Sequence, residues 1–204
     1  SNVRSNLSVV GAPRSRGEVL GIFRNHSMNV IEMFASSRWE EEEITCRIEF
    51  PQKRLLDDAL GAGKGAILAT AHIGNWELPA LLLGAQGYRL SVVAGEQMNS
   101  LLTDSVKRAK EARGIEVIGP DQPYRRLYRV LREGGIVALL LDGDIFRGGA
   151  PVELFGRQVN LPRGAARLAM STGAPVLGAF CRRMSDDRSR ITMETLLGPC
   201  EAGH

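Results

Sequence analysis

The stretch Ala66-Ile67-Leu68-Ala69-Thr70-Ala71-His72-Ile73-Gly74-Asn75-Trp76-Glu77 is the part of the sequence that decides the fold. Its apolar first half has the length of a buried strand, and Gly74-Asn75 supplies a turn before the next apolar segment. A neutral imidazole can remove a proton from an alcohol, and a nearby carboxylate can fix its tautomer and stabilise the imidazolium. The stretch therefore predicts a strand that ends at a reactive turn, with His72 as a candidate general base.

Strand and helix patterns alternate around this stretch. The strand candidates are Ala66–Ala71, Leu90–Ala94, Glu116–Ile118, Ile136–Leu141, Val176–Phe180 and Arg190–Thr195. The helix candidates are Leu55–Leu60, Leu78–Leu83, Leu101–Arg113, Tyr124–Arg132 and Arg163–Ser171. Such alternation is typical of an α/β domain with a central, largely parallel sheet flanked by helices, in which ligands bind beyond the carboxyl ends of the strands. We expect a single domain over residues 1–204, with a core over about 60–197.

The N-terminal helical segment is predicted at about residues 15–36. Ser15 can cap its start, and apolar residues recur at mostly helical spacing as far as Phe34. This pattern predicts an amphipathic helix that packs on the sheet. The acidic run Glu40 to Glu43 is predicted to be a solvated face or a loop.

Composition limits the possible partners. The net charge is +3, acidic and basic residues are interspersed, and aromatic residues make up only 5% of the chain, so we expect no nucleic acid partner. The slight basic excess is compatible with an anionic phospholipid or an acyl-carrier surface. Three widely spaced cysteines indicate neither a disulfide framework nor a zinc site, which favours a reducing cytoplasmic environment. We expect no metal and no prosthetic cofactor.

Two familiar catalytic motifs are absent from the sequence. No Gly-x-x-x-x-Gly-Lys-Ser/Thr loop is present, which disfavours binding of nucleotide phosphates. No Gly-x-Ser-x-Gly elbow is present, which disfavours a serine hydrolase with an acyl-enzyme intermediate. Direct transfer of an acyl group to an acceptor hydroxyl, with His72 removing the proton, is the simpler chemistry.

Two carboxylates are candidates to orient His72. Asp142 follows the apolar strand candidate Ile136–Leu141 and can face His72 across the crevice at the strand ends. Glu77 follows the histidine in the same stretch, although a position on the first turn of a helix would also let it act as a cap. Both assignments stay open on the sequence alone. Asp144, beside Gly143, is predicted to be a turn residue.

Several blocks together resemble a known family. His-Ile-Gly-Asn-Trp-Glu at 72–77 is followed in order by Gly95-Glu96-Gln97-Met98-Asn99, Asp142-Gly143-Asp144, Leu154-Phe155-Gly156 and Leu161-Pro162-Arg163-Gly164-Ala165-Ala166-Arg167-Leu168-Ala169. Over about residues 20–182 the chain resembles the bacterial lipid A biosynthesis lauroyl/myristoyl acyltransferases, including members similar to phosphatidylinositol mannoside acyltransferases. The resemblance implies a fold like that of the glycerolipid acyltransferases and implies that His72, Glu77 and Asp142 are catalytic.

The resemblance also implies substrates and a location. It implies an O-acyltransferase that moves a fatty acyl chain from acyl-CoA or acyl-carrier protein to a hydroxyl of a glycolipid or phospholipid, bound peripherally at the cytoplasmic face of the cell membrane. Acceptor binding is expected at Glu96, Lys110 and Arg113, and Arg163 can meet a phosphate of donor or acceptor. A solvated cationic face is the alternative for the helix that carries Lys110. Gly95-Glu96-Gln97 stands where lipid A enzymes more often have Tyr-Arg, so the acceptor stays open.

Two further functions are compatible with these residues, namely a catalytically idle lipid- or acyl-binding module and an acyl thioesterase. A fatty acyl donor also requires an apolar slot that leads from the strand ends. We expect its walls to come from Leu78–Leu83, Leu168–Met170 and Phe155.

Overall fold

The computed structural model describes residues 2–12, 15–93, 100–119, 125–143 and 148–200. The helices are α1 (Asn2–Val9), α2 (Arg16–Ser36), α3 (Glu41–Arg47), α4 (Lys53–Gly61), α5 (Glu77–Ala85), α6 (Ser100–Glu111), α7 (Arg125–Arg132) and α8 (Gly164–Thr172). The strands are β1 (Ile48–Glu49), β2 (Ala66–Thr70), β3 (Leu90–Val93), β4 (Glu116–Ile118), β5 (Ile136–Leu140), β6 (Ala150–Leu154), β7 (Arg157–Leu161), β8 (Val176–Arg183) and β9 (Ser189–Leu197). The five predicted helices and six predicted strands between residues 55 and 197 correspond to α4–α8 and to β2, β3, β4, β5, β8 and β9.

The central sheet confirms the predicted α/β fold class. Its seven strands follow the order β1-β9-β8-β2-β5-β3-β4, and every neighbouring pair is parallel except β8 and β9. β2 lies in the middle of the sheet between β8 and β5. The carboxyl ends of β2 and β5 therefore meet at one edge of the sheet, where ligands of open parallel sheets bind.

Burial on both faces explains why the inner strands are continuously apolar. Successive side chains of a strand point to opposite faces, so Ala66 and Leu68 enter one core while Ile67 and Ala69 enter the other. α3, α4 and α5 contribute side chains to the first core, whereas α7 and α8 contribute to the second. Parallel strands that are covered on both faces need this composition.

A hairpin that the sequence patterns did not predict follows β5. β6 and β7 pair antiparallel, and Phe155-Gly156 forms the two-residue loop between Leu154 and Arg157. Both loop residues have positive φ, 51° at Phe155 and 70° at Gly156, as a type I′ turn requires. The turn places Phe155 at the exposed tip of the hairpin.

The predicted N-terminal helix is present as α2, but its packing differs from the prediction. Ser15 caps α2 by accepting a hydrogen bond from the backbone N–H of Glu18 at 3.1 Å, as predicted. The predicted packing on the sheet holds for only part of the helix, where Glu32 contacts Arg183 of β8. Met33 and Ser36 are its buried residues, and several apolar side chains are exposed. The acidic residues after Trp39 begin α3 and lie mostly at its surface. None of the helices in the described part of the chain combines the length and hydropathy that a bilayer span needs.

Candidate active site

Strand register brings His72 against Asp142. Thr70 of β2 is paired with Leu140 of β5, and the backbone N–H of Leu141 donates to the Thr70 carbonyl at 2.9 Å. His72 and Asp142 each lie two residues beyond this pair, so parallel strands deliver them side by side. The Oδ2 atom of Asp142 accepts the backbone N–H of His72 at 2.9 Å, and its Oδ1 atom lies 2.9 Å from Nδ1 of the ring. One carboxylate thus holds both the backbone and the imidazole.

This contact fixes the tautomer of His72. An ionised carboxylate accepts hydrogen bonds and cannot donate them, so Nδ1 carries the hydrogen. Nε2 is then the nitrogen with a lone pair, and it is the atom that can take a proton. The side chains of His72 and Asp142 are 50% and 39% exposed, which leaves the pair accessible to a substrate.

Trp76 packs against the histidine. The two rings meet edge to face, with centroids 4.7 Å apart and an angle of 76° between their planes. Aromatic rings attract one another in this arrangement, and the contact restricts the His72 ring on a second side. The sequence patterns gave no role to Trp76. Its position four residues after His72, at the start of the next helix, is the signal that could have identified it.

Glu77 occupies a different environment from Asp142. Its carboxylate forms an ion pair with Lys110 of α6 at 2.5 Å, and the two side chains are only 9% and 7% exposed. The backbone N–H of Glu77 donates to the Oδ1 atom of Asn75 at 3.3 Å. The structure therefore places Asp142 on His72 and places Glu77 between α5 and α6.

An apolar pocket opens at the same strand ends. It is a cavity of about 70 Å³ that continues into space open to solvent, between α5 and the sheet. Its walls come from β2, β3, β5, α5 and single residues of α6 and β8, and include Leu68, Thr70, Trp76, Ala80, Leu83, Val92, Ala138 and Leu140. Glu77 and Lys110 also line it. Because Trp76 contacts both the pocket and His72, the pocket lies beside the histidine.

This pocket corresponds to only one of the three predicted acyl-slot segments. Ala80 and Leu83 of the predicted 78–83 segment line it. Leu168 belongs instead to the core on the other face of the sheet, and Met170 is exposed. Phe155 is exposed at the hairpin tip. Leu168, Met170 and Phe155 are therefore not among the residues that line this pocket, and their part in an acyl slot stays a prediction.

The remaining candidate residues are dispersed. Arg113 donates to the carbonyl of Ala109 at 2.9 Å and to that of Trp39 at 2.7 Å, so it fastens the end of α6 to the segment before α3. Arg163, exposed before α8, donates to the Gly149 carbonyl at 2.9 Å. Glu96 and Asp144 lie outside the described residues. Within the described ranges, no group of three or more His, Cys, Asp and Glu side chains is arranged to hold a metal ion.

The chain is similar in sequence to known proteins. The family model for bacterial lipid A biosynthesis acyltransferases matches residues 3–196. A phosphatidylinositol mannoside acyltransferase from Mycobacterium tuberculosis is 35% identical over 130 residues, which is 62% of this chain and 41% of the relative. One from Mycolicibacterium smegmatis is 32% identical over 127 residues, 60% of this chain and 42% of that protein. The matched region thus spans about two fifths of the length of these relatives.

Proposed function

Because the chain belongs to the bacterial lipid A biosynthesis acyltransferase family, we propose that it transfers a fatty acyl chain from a thioester donor to a hydroxyl of a membrane glycolipid or phospholipid. The His72–Asp142 pair beside an apolar pocket is the observation that carries this proposal. The pair can activate a hydroxyl, and the pocket can exclude an acyl chain from water. Acyl-CoA and acyl-carrier protein both supply the thioester that this chemistry needs.

The proposed reaction is a single displacement at the thioester carbonyl. Nε2 of His72 removes the proton of the acceptor hydroxyl while its oxygen bonds to the carbonyl carbon. Collapse of the tetrahedral intermediate breaks the C–S bond, and the leaving thiolate takes the proton back from the imidazolium. Asp142 stays ionised throughout and stabilises the imidazolium through Nδ1. The products are an acylated lipid and the free thiol of the carrier.

The pocket is proposed to hold the acyl chain. Ala80 and Leu83 form one wall, and Leu68, Val92 and Ala138 of the sheet form another. Each methylene that leaves water for such a surface contributes about 0.8 kcal/mol. A pocket of fixed depth would therefore favour donors of matching chain length.

Recognition of the acceptor stays a prediction at Glu96, Lys110, Arg113 and Arg163. Arg163 is the exposed member of the three that the structure describes, and its guanidinium suits a phosphate oxygen. Lys110 forms an ion pair with Glu77, and Arg113 donates hydrogen bonds to backbone carbonyls. Both cations therefore also have structural roles. The names of the relatives contain phosphatidylinositol mannoside, so phosphatidylinositol mannosides are one class of acceptor to test.

Docking at the cytoplasmic face of the membrane is proposed through α2. Leu20, Phe23, Ile31 and Phe34 lie on one side of this helix at helical spacing, and all four are between 45% and 63% exposed. The opposite side of α2 carries the residues that contact the rest of the domain. An apolar helix face of this kind suits the boundary between lipid headgroups and acyl chains.

One assay separates the candidate functions. The protein is incubated with radiolabelled acyl-CoA or acyl-carrier protein and with vesicles that contain phosphatidylinositol mannosides, lipid A precursors or plain phospholipids. Labelled lipid is the expected product, and it is absent with His72→Ala. Free fatty acid in place of labelled lipid would identify a thioesterase. Bound but unreacted donor with every acceptor would identify an idle binding module and overturn the proposal.

A further inference from the structure

The turn that follows His72 is held between two elements. On one side, Nδ2 of Asn29 in α2 donates to the Gly74 carbonyl at 2.7 Å. The buried Asn75 donates from Nδ2 to Glu32 of the same helix at 2.9 Å. On the other side Gly74, with φ of +62°, is so close to β8 that a Cβ atom would lie 1.8 Å from the Cys181 carbonyl oxygen. Gly74 is thus wedged between α2 and β8, and Asn75 is tied to α2.

Arg183 of β8 completes this arrangement. Its guanidinium contacts both carboxylate oxygens of Glu32, with Nη2 to Oε2 at 2.7 Å, and Nη2 also donates to Oδ1 of Asn29 at 3.2 Å. The Glu32 hydrogen bonds raise the pKa of Arg183 above its ordinary value. The Glu32 and Arg183 side chains are mostly buried, at 17% and 19% exposure. Asn29, Glu32 and Arg183 form one network, which we call the turn clamp.

We propose that the turn clamp positions His72 for the reaction, an inference that rests on the proposed acyltransferase function. The hydrogen bonds found for its three residues in the described part of the chain do not include His72 or Asp142, so their effect passes through Gly74 and Asn75 to the neighbouring Trp76. Trp76 packs against the His72 ring, which Asp142 holds through Nδ1. Displacement of reacting groups by about 1 Å can cost on the order of 10²-fold in rate.

Matched substitutions on α2 test the turn clamp. Asn29→Ala and Glu32→Ala remove its contacts. Asn25→Ala and Glu18→Ala are the controls, because these exposed residues provide the same residue types on the same helix. We expect kcat to fall roughly ten- to a hundredfold in the two clamp variants. The KM for the acyl donor should stay within about twofold of wild type, since the strand and α5 side chains that form most of the pocket wall are not contacted by the clamp, and the controls should match wild type.

Tryptophan fluorescence gives a readout that does not require turnover. The chain has two tryptophans, so Trp39→Phe leaves Trp76 as the single reporter beside His72. In this background we expect the clamp variants to increase acrylamide quenching of Trp76, and the controls to leave it unchanged. If wild type transfers no acyl group, the proposed function fails while this measurement still tests the clamp.

Two results would overturn the inference. Folded Asn29→Ala with wild-type kcat and wild-type Trp76 quenching would show that the turn needs no support from α2. A raised donor KM with unchanged kcat would assign these residues to binding instead of positioning. Should Glu32→Ala fail to fold because Arg183 is left unpaired, Asn29→Ala decides the matter, since it leaves the Glu32–Arg183 ion pair in place.

Discussion

Two pairs of interacting side chains, His72–Asp142 and Glu77–Lys110, flank the start of α5, and they differ in exposure. His72 and Asp142 are 50% and 39% exposed, whereas Glu77 and Lys110 are 9% and 7% exposed. An exposed pair at the strand ends can meet a substrate, so its loss should appear in the reaction rate. A buried pair has given up its hydration, so loss of one partner should appear in the free energy of unfolding. The two carboxylates thus differ in expected role because they differ in burial, and not because of their distance from His72 along the chain.

The largest effect is expected from His72→Ala. The substitution removes the proposed general base, whose contribution is typically 10²–10⁴ in rate. The side chain is half exposed, so the thermal midpoint of unfolding should change little. Single-turnover assays with labelled donor, together with a melting curve, check both statements. A folded variant with near-wild-type turnover would contradict the proposed mechanism.

Asp142→Asn should have the second largest effect on the reaction rate. The amide can donate to Nδ1 and thereby favour the tautomer with the hydrogen on Nε2, which cannot act as a base. We expect kcat to fall on the order of 10²-fold, with donor KM nearly unchanged. Glu77→Gln is the matched comparison and should retain most of the rate. If Glu77→Gln loses more activity per folded molecule than Asp142→Asn, the roles of the two carboxylates are reversed.

Substitutions in the buried Glu77–Lys110 pair should change the free energy of unfolding. Glu77→Leu and Lys110→Met should each lower the free energy of unfolding by roughly 3–5 kcal/mol, because each leaves an unpaired buried charge. The double variant should recover much of this loss, since two apolar side chains replace the pair. Urea unfolding of the four proteins measures the coupling. Additive losses would show that the ion pair is not the source of the effect.

The two faces of the sheet should respond differently to added bulk. Ala80 lines the pocket, so Ala80→Phe is expected to shift the donor preference toward shorter chains. At about 0.8 kcal/mol per methylene, kcat/KM for the longest donors should fall roughly fourfold for each methylene displaced. Ala169 is fully buried in the opposite core, and Ala169→Phe should cost about 1–3 kcal/mol of stability.

Relative kcat/KM over a series of acyl-CoA lengths provides the test. The profile of Ala169→Phe is the control and should follow that of wild type. An unchanged profile in folded Ala80→Phe would remove the pocket from the acyl site.

The smallest effect is expected at Cys181, whose carbonyl lies against Gly74 in the turn that follows His72. Burial raises the pKa of its thiol from 9.0 to about 12. Above pH 9 the thiol of the unfolded chain ionises while the folded thiol stays protonated, so stability falls between pH 9 and 12. The slope from this one group is at most about 1.4 kcal/mol per pH unit. Urea unfolding at pH 8, 9 and 10 should show a steeper decline for wild type than for Cys181→Ala. Parallel declines would contradict the assignment.

The sequence predicted the alternating elements but not every contact that they make. The six predicted strands could be identified because apolar runs and turn residues are local signals. The hairpin β6–β7 escaped this reasoning, because its strands alternate between exposed and half-buried residues and carry no strongly apolar run. The exposed stripe of α2 was misjudged for a related reason. Apolar spacing shows that a helix has an apolar face, and it does not show what covers that face.

The sequence by itself determined that His72 and Asp142 each follow an apolar strand and that Glu77 begins a helix. Only the tertiary structure decided which carboxylate meets the histidine. The β2–β5 pairing joins segments about 70 residues apart, and its register sets His72 and Asp142 at the same height. The ion pair between Lys110 of α6 and Glu77 of α5 likewise joins two segments that are distant in the sequence. Side-chain alternation is a property of one segment, whereas lateral neighbours are chosen by hydrogen bonding and packing between distant segments.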